Sequence, residues 1–508
     1  MEQQKYLLGF DVGTYESKGV ICDFNGKIRT SAASKHVLKS PHPGWAEHDP
    51  INDWWFDFKT VIRKMLDDSG IKAEEIAAIG ISAIMAAITP VDENYNPLRN
   101  AILYGIDTRC MDQIEELNSK IPHDKLLEYG GPCTVEHFGP KILWIKQNEP
   151  EVYAKTKMFT ISAGFLTGKL TGVNCVDRYS IKSCVPMINQ QTFEWDDEMC
   201  SLICPKEYMP KVTEKTYTVV GAVTAQAAKE TGLAEGTAVI CGTTDAGAEA
   251  VSVGVTDAND IMLMYGSTAF YAAVSDKIVP GVDPLWVDDY VIDGLYSYTG
   301  GMATTGSLTR WILDNLAPDL AEREKRGEAI GYSALFAEAE SIPLGSDGLI
   351  CLPYFSGERM PIQDPKAKGM FFGLNLRHKR GHLVKAAIEG IGYGIDQNFQ
   401  LLRQVGIPVE TVTAVGGGTK SPLYLQIVSD ICNIRQVVPE VTIGASFGDA
   451  LLAGLGIGVI SSPQVIKDMV KIKYVVEPDP ERHAAYAPYK EMYRELYART
   501  KDIMHRLG

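Results

Sequence analysis

Gly9-Phe10-Asp11-Val12-Gly13-Thr14 near the start of the chain and Cys241-Gly242-Thr243-Thr244-Asp245-Ala246-Gly247-Ala248 near its middle decide how the rest is read. Each sets an aspartate among small or hydroxyl residues directly after an apolar, strand-like run. That run is Tyr6-Leu7-Leu8 in the first case and Ala238-Val239-Ile240 in the second. Small residues let backbone N–H groups close on a phosphate, and a nearby carboxylate can hold Mg²⁺ or accept a proton. The recurrence predicts two related lobes that close on one nucleotide.

Outward from the first stretch, residues 6–11 and 19–23 read as strands. Asn25-Gly26 is a strong hairpin signal, and 30–37 supplies a third strand. This meander differs from a Rossmann start, where a helix follows the first glycine loop at once. Residues 50–68 read as a helix, with Trp54, Trp55, Phe58, Ile62 and Met65 at helical spacing. A strand is expected at 77–82, a short apolar run at 101–104, and helices over much of 111–170. The pattern then restarts. A strand at 237–241 leads to a helix at 244–253, then strands at 261–264 and 269–274 flank Gly266-Ser267-Thr268. A strand at 349–352, a long helix at 382–405 and a strand at 411–415 lead into Gly416-Gly417-Gly418. The lobe boundary is placed near residue 250, giving lobes of residues 1–249 and 250–508.

The chain has 508 residues. At about 100–200 residues per domain, that is room for more than one large core. Its 49 basic and 64 acidic side chains leave a formal charge of −15, which argues against nucleic acid or an anionic membrane as a general partner. The 10 cysteines are scattered, apart from Cys200 and Cys204, and read as reduced thiols in a cytoplasmic protein. Polar residues lead straight into the first strand, so no signal peptide is expected. The longest apolar stretch, 76–91, is interrupted by Gly80, Ser82, Thr89 and Pro90 and is too broken to span a bilayer.

Each motif has a plain structural reading beside its functional one. Asp11, Gly13 and Thr14 fit a strand-end carboxylate with a phosphate turn, or merely a strand followed by a glycine turn. Lys18 reaches phosphate, or is a solvated turn lysine. Asp245 is a helix cap, or a general base near Mg²⁺. Gly266-Ser267-Thr268 is a hairpin turn or a second phosphate loop. Gly416-Gly417-Gly418-Thr419-Lys420-Ser421 holds more glycine than a turn needs and favours close approach to a flat ligand or phosphate. The small residues of 444–454 suit a helix packed closely on a sheet.

Taken in order, these stretches resemble the FGGY family of carbohydrate kinases. The set also includes Pro353-Tyr354-Phe355-Ser356-Gly357-Glu358-Arg359-Met360-Pro361 and Gly369-Met370-Phe371-Phe372-Gly373-Leu374, and it spans essentially the whole chain. The resemblance implies an α/β fold of two actin-like, ribonuclease-H-type lobes with a central cleft. It implies ATP and Mg²⁺ as cofactors, a small sugar or polyol as substrate, and a homodimer. By motif, Asp11 and Asp245 would hold Mg²⁺, and Asp245 would be the catalytic base. Gly13, Thr14 and Lys18 would belong to the first phosphate loop. Gly266, Ser267 and Thr268 would face the β- and γ-phosphates, and Gly417, Gly418 and Ser421 would lie along the adenosine. Where xylulokinases present Gln-Met-His, this chain has Ile84-Met85-Ala86, so Met85 and Ala86 line the sugar site without polar side chains. Asp107 and Arg109 are expected to supply the missing hydrogen bonds; their plain reading is a surface salt bridge. A xylulose-like ketose is the first expectation for the substrate. Another polyol or a sugar acid is the second, and a non-catalytic nucleotide-dependent sensor on the same fold is the third.

Overall fold

The computed structural model describes residues 5–279, 285–328 and 331–507, so the first four residues of the chain, read as leading into the first strand, lie outside it. The chain forms two compact units, and neither is a single run of sequence. The first comprises Met1–Thr256, Asp288–Gly294 and Ile443–Met469; the second comprises Asp257–Val287, Leu295–Thr442 and Val470–Gly508. A cut at 249/250 therefore assigns Ile443–Met469 to the second half, whereas its residues pack into the first unit.

The first unit is built on β1 (Tyr6–Val12), β2 (Glu16–Asp23), β3 (Ile28–Lys35), β4 (Ile76–Ala83), β5 (Val219–Ala222), β6 (Ala238–Ile240) and the short β7 (Thr243–Thr244). The sheet runs β3-β2-β1-β4-β6-β5, with β7 also paired to β4. β1, β2 and β3 form the antiparallel meander read from the Asn25-Gly26 turn, and β1, β4 and β6 are parallel. β4 is buried at every position, as expected of a strand covered on both faces. Helix α1 (Phe56–Ser69) is preceded by a wide helical turn at Pro50–Trp55 that Asp49 caps by accepting from the Ile51 and Asn52 N–H groups. It buries Phe58, Val61, Ile62 and Met65 against the sheet.

Two further helices place chemistry on this sheet. Helix α2 (Asp245–Ser252) starts directly from β7. Helix α3 (Ala445–Gly456) lies across β1, β4 and α2, and glycine makes that possible. A Cβ on Gly9 would stand 1.8 Å from the Ser446 carbonyl oxygen. One on Gly80 would stand 2.1 Å from that of Asp449, and one on Gly448 1.8 Å from that of Ala248. The small-residue run is thus a packing device, as its plain reading held.

The second unit repeats the topology. It has β8 (Ile261–Tyr265), β9 (Ala269–Ser275), β10 (Tyr296–Gly300), β11 (Thr411–Val415), β12 (Arg435–Pro439) and β13 (Ile472–Val476), in the order β10-β9-β8-β11-β12-β13. Again three antiparallel strands lead to a parallel pair and an antiparallel edge. Helices Arg380–Gln404 and Pro422–Cys432 fill its core with Ile388, Ile391, Phe399, Leu425 and Val428. The architectural repeat is therefore β1 to β6 against β8 to β13. The Asp11 and Asp245 segments, whose recurrence predicts two related lobes, both lie on one sheet of the first unit. The counterpart of the Asp11 turn in the second unit is the β8–β9 turn at Gly266.

Candidate active site

Strand register brings the two aspartates together. Asp11 pairs with Ser82, and Ser82 pairs on its other side with Thr243. Asp11 and the β7–α2 junction thus stand two strands apart, about 10 Å between backbones, at the same end of the sheet. Asp245 is the first residue of α2, and its Oδ1 accepts the Ala246 N–H at 2.8 Å. Buried Asp177 anchors the approach to it, accepting from Thr243 Oγ1 at 2.8 Å and Thr216 Oγ1 at 2.6 Å.

Four carboxyl groups share this end. Burial raises Asp245 to about 6. Burial and then the Asp245 charge raise Asp11 to about 8 and Glu249, one helical turn beyond Asp245, to about 7. Ser82 Oγ lies 3.0 Å from Asp11 Oδ1 and 2.7 Å from Asp449 Oδ2. A hydroxyl carries one hydrogen, so Ser82 donates to one carboxyl and accepts from the other, which carries a proton. Burial and the Asp11 charge push Asp449 well above the ordinary carboxylate range. Mutually repelling acids at a strand end suit a cation. Among the described residues no group of three or more His, Cys, Asp or Glu side chains is gathered closely enough to hold a metal. A pair of carboxylates suits Mg²⁺, which takes one or two carboxylates and completes its shell with water and phosphate oxygens.

The turn after Asp11 is closed by the Gly13 N–H donating to the Glu16 carbonyl at 3.0 Å. The Thr14 hydroxyl is 3.0 Å from that of Tyr104. Lys18 is exposed and pairs with Glu16 at 3.3 Å, so the Glu16 charge next to the turn is partly neutralised. In the second unit, the Gly266-Ser267-Thr268 turn is braced through its carbonyls. Gly266 accepts from the Gly306 N–H at 3.0 Å, and Ser267 from the Thr305 and Ser307 N–H groups at 3.0 Å each. Gly417 and Gly418 open a short helical turn beside Tyr265, and a Cβ on Gly418 would stand 2.6 Å from that of Tyr265. Ser421 is buried and caps helix Pro422–Cys432 by accepting the Tyr424 N–H at 3.2 Å. Its hydroxyl serves the helix.

The sugar-side expectations divide. Met85 is partly exposed, whereas Ala86 is buried and its carbonyl accepts from buried Lys141 Nζ at 3.3 Å. Asp107 and Arg109 form the salt bridge of their plain reading, but away from the surface. Their side chains are fully buried, not on the surface, and they are spent on one another. Arg109 donates to Asp107 at 2.7 Å and to Glu47 at 2.8 Å, and its guanidinium stacks 3.9 Å from the Trp45 ring centre. Asp107 also accepts the Ala46 N–H at 2.7 Å. This is a buried ion pair whose charged atoms are engaged with one another and with Glu47. Sequence reasoning missed Ser82, Glu249 and Asp449. Glu249 was within reach, since it lies four residues after Asp245 on the same helix face.

Paired sheets of this topology, with carboxylates at the strand ends, define an actin-like sugar-kinase fold. The model of the N-terminal domain of the FGGY family of carbohydrate kinases matches residues 6–252, and that of the C-terminal domain matches residues 261–457. The chain belongs to that family and is a carbohydrate kinase. It is 28% identical over 502 residues to a xylulose kinase of Staphylococcus epidermidis, covering 98% of each chain. It is also 28% identical over 500 residues to a gluconokinase of Bacillus licheniformis, covering 97% of this chain and 94% of the other. The crystal structure of xylulose kinase from Rhodospirillum rubrum superposes with a TM-score of 0.89 at 28% identity, covering 99% of this chain and 100% of that one. Among the described residues no helix is long and apolar enough to cross a membrane.

Proposed function

We propose that this chain transfers the terminal phosphoryl group of ATP to a hydroxyl of a small sugar, a ketose such as xylulose, with Mg²⁺ and with Asp245 as general base. The observation that carries the proposal is the shared sheet end of Asp11 and Asp245, where the Asp245 charge acts on Asp11. Asp11 and Asp245 would hold Mg²⁺, which supplies charge neutralisation for the triphosphate when bound. Asp245 orients the acceptor hydroxyl. As the sugar oxygen forms its bond to phosphorus and the bond to ADP breaks, the hydroxyl proton passes to the Asp245 carboxylate. Its value of about 6 leaves it ionised, yet basic enough to share a proton, near neutrality. Gly13 and Thr14, with Lys18 nearby, serve the phosphates. Gly266, Ser267, Thr268, Gly417 and Gly418 serve phosphates and adenosine, and Ser421 acts as the helix cap. Phosphoryl transfer asks for placement and neutralised charge more than covalent help, and backbone donors at these turns suit that task.

The xylulose kinases among the relatives support a ketose. A second reading, a polyol or sugar acid, is favoured by Met85 and Ala86, which offer no polar side chains, and by the equally similar gluconokinase. The ten cysteines, all buried and free, support a reducing, cytoplasmic setting; light scattering would test the homodimer. The deciding experiment measures ADP release from ATP and Mg²⁺ against a panel of ketoses, polyols and aldonic acids. Stimulation by a ketose supports the first reading, and stimulation by an aldonate or polyol alone supports the second. A flat panel overturns both.

A further inference from the structure

Two histidines stand behind the Gly13-Thr14 turn, and each has its ring protons fixed by what it touches. His48 Nδ1 is 3.0 Å from the Trp54 indole N–H, which can only donate. The proton of His48 therefore sits on Nε2, which donates to the Thr14 carbonyl at 3.0 Å. Burial and the neighbouring His36 lower His48 to about 4, in keeping with a neutral ring. His36 is the opposite case. Its Nδ1 is 2.7 Å from an Asp57 carboxylate oxygen and its Nε2 is 3.0 Å from the Gly13 carbonyl. Both partners only accept, so both ring nitrogens carry protons and His36 is an imidazolium. Asp57 is held by three donors: His36, Ser17 at 2.8 Å and Ser34 at 2.6 Å.

These contacts aim the backbone. In a trans peptide the C=O and the following N–H point in opposite directions. Drawing the Gly13 and Thr14 carbonyls back onto the histidines turns the Thr14 and Tyr15 N–H groups the other way, as a concave pair of the kind that binds anions. We propose that the His36 imidazolium, seconded by neutral His48, is the positioning group that orients this phosphate loop and sets its affinity for the nucleotide. The inference rests on the assignment of Gly13 and Thr14 to phosphate. Asp57 and Asp53 face His36 and favour its charge; burial opposes it, and His48 is neutral. Lys39, whose charge reaches His48, is itself paired with Asp49 and Asp53. On balance His36 titrates above its ordinary 6.5.

The test uses the full-length enzyme and follows initial rates against ATP and against the active sugar from pH 6 to 9. For His36→Gln, the KM for ATP rises about tenfold, the loss of one charge-assisted contact, while the KM for the sugar stays within about twofold. In the wild type, kcat/KM for ATP falls as pH rises through the His36 titration, and the variant lacks that fall. An ATP KM within about twofold of wild type, or an equal rise for both substrates, overturns the inference. If the variant does not fold, the wild-type profile decides alone, and a kcat/KM for ATP flat to high pH overturns it. Gly13→Ala separates this from the underlying assignment, since its Cβ would stand 2.9 Å from the Glu16 carbonyl and distort the turn. If Gly13→Ala raises the ATP KM and His36→Gln does not, only the role of His36 falls. If neither does, the phosphate-loop assignment falls with it.

Discussion

Asp245→Asn separates catalysis from stability, because the two move in opposite directions. The substitution keeps the side-chain oxygen that accepts the Ala246 N–H, so the start of α2 is preserved. It removes the group proposed to take the substrate proton, a loss of roughly 10²–10⁴ in kcat, or about 3–5 kcal/mol of barrier. Stability should rise. In the unfolded chain the Asp245 carboxyl ionises near 3.8, and in the native state only near 6. Between those values the native state holds a proton that the unfolded state has released, so stability falls as pH rises through the window. Above it the wild type is penalised by about 3 kcal/mol at most, which asparagine does not incur. The repulsion of Asp11 and Glu249 by Asp245 disappears as well. Metal-free Asp245→Asn should therefore melt several degrees above wild type at pH 8 and show no gain at pH 4. Coupled ADP release and thermal melts on the same preparation read both effects. Turnover within a few-fold of wild type would refute the assigned role. A drop in stability at pH 8 would refute the electrostatic account.

Two further outcomes follow from the same geometry. Because Asp11 and Glu249 ionise only near 8 and 7, the metal-free protein should lose stability steadily from about pH 4 to 8, and Mg²⁺ should raise the melting temperature more at pH 8.5 than at pH 6. Metal-free melts that stay level or climb over that range count against the clustered carboxyls. Gly9→Ala sets a methyl 1.8 Å from the Ser446 carbonyl and should cost about 3 kcal/mol or more in urea unfolding. A cost below about 1 kcal/mol would mean that α3 does not pack on β1 as described.

Much of the fold was legible because its signals are local. The Asn25-Gly26 turn, the aromatic spacing before and within α1, and the apolar runs ahead of Asp11 and Asp245 each fix an element without reference to distant sequence. The partnering of those elements was not legible. The recurring aspartate pattern pointed to two lobes, yet both copies flank one strand, because parallel neighbours arise from crossovers that leave no local trace. Asp449 sat unnoticed in a run of small residues, since its partner Ser82 lies 367 positions away. The setting of Arg109 was illegible for a different reason. An arginine within two residues of an aspartate reads alike whether the pair grips a ligand or closes on itself, and only its burial against Trp45 and Trp144 tells the two apart.

The return of residues 443–469 to the first unit has a consequence for biosynthesis. During translation, β1 and β4 emerge hundreds of residues before the helix that covers Gly9 and Gly80. Until then that side of the nascent sheet is apolar and open, a state prone to association with other unfinished chains. Ribosomes stalled before residue 440 should hold this half in a protease-sensitive form, whatever the state of the strands already made.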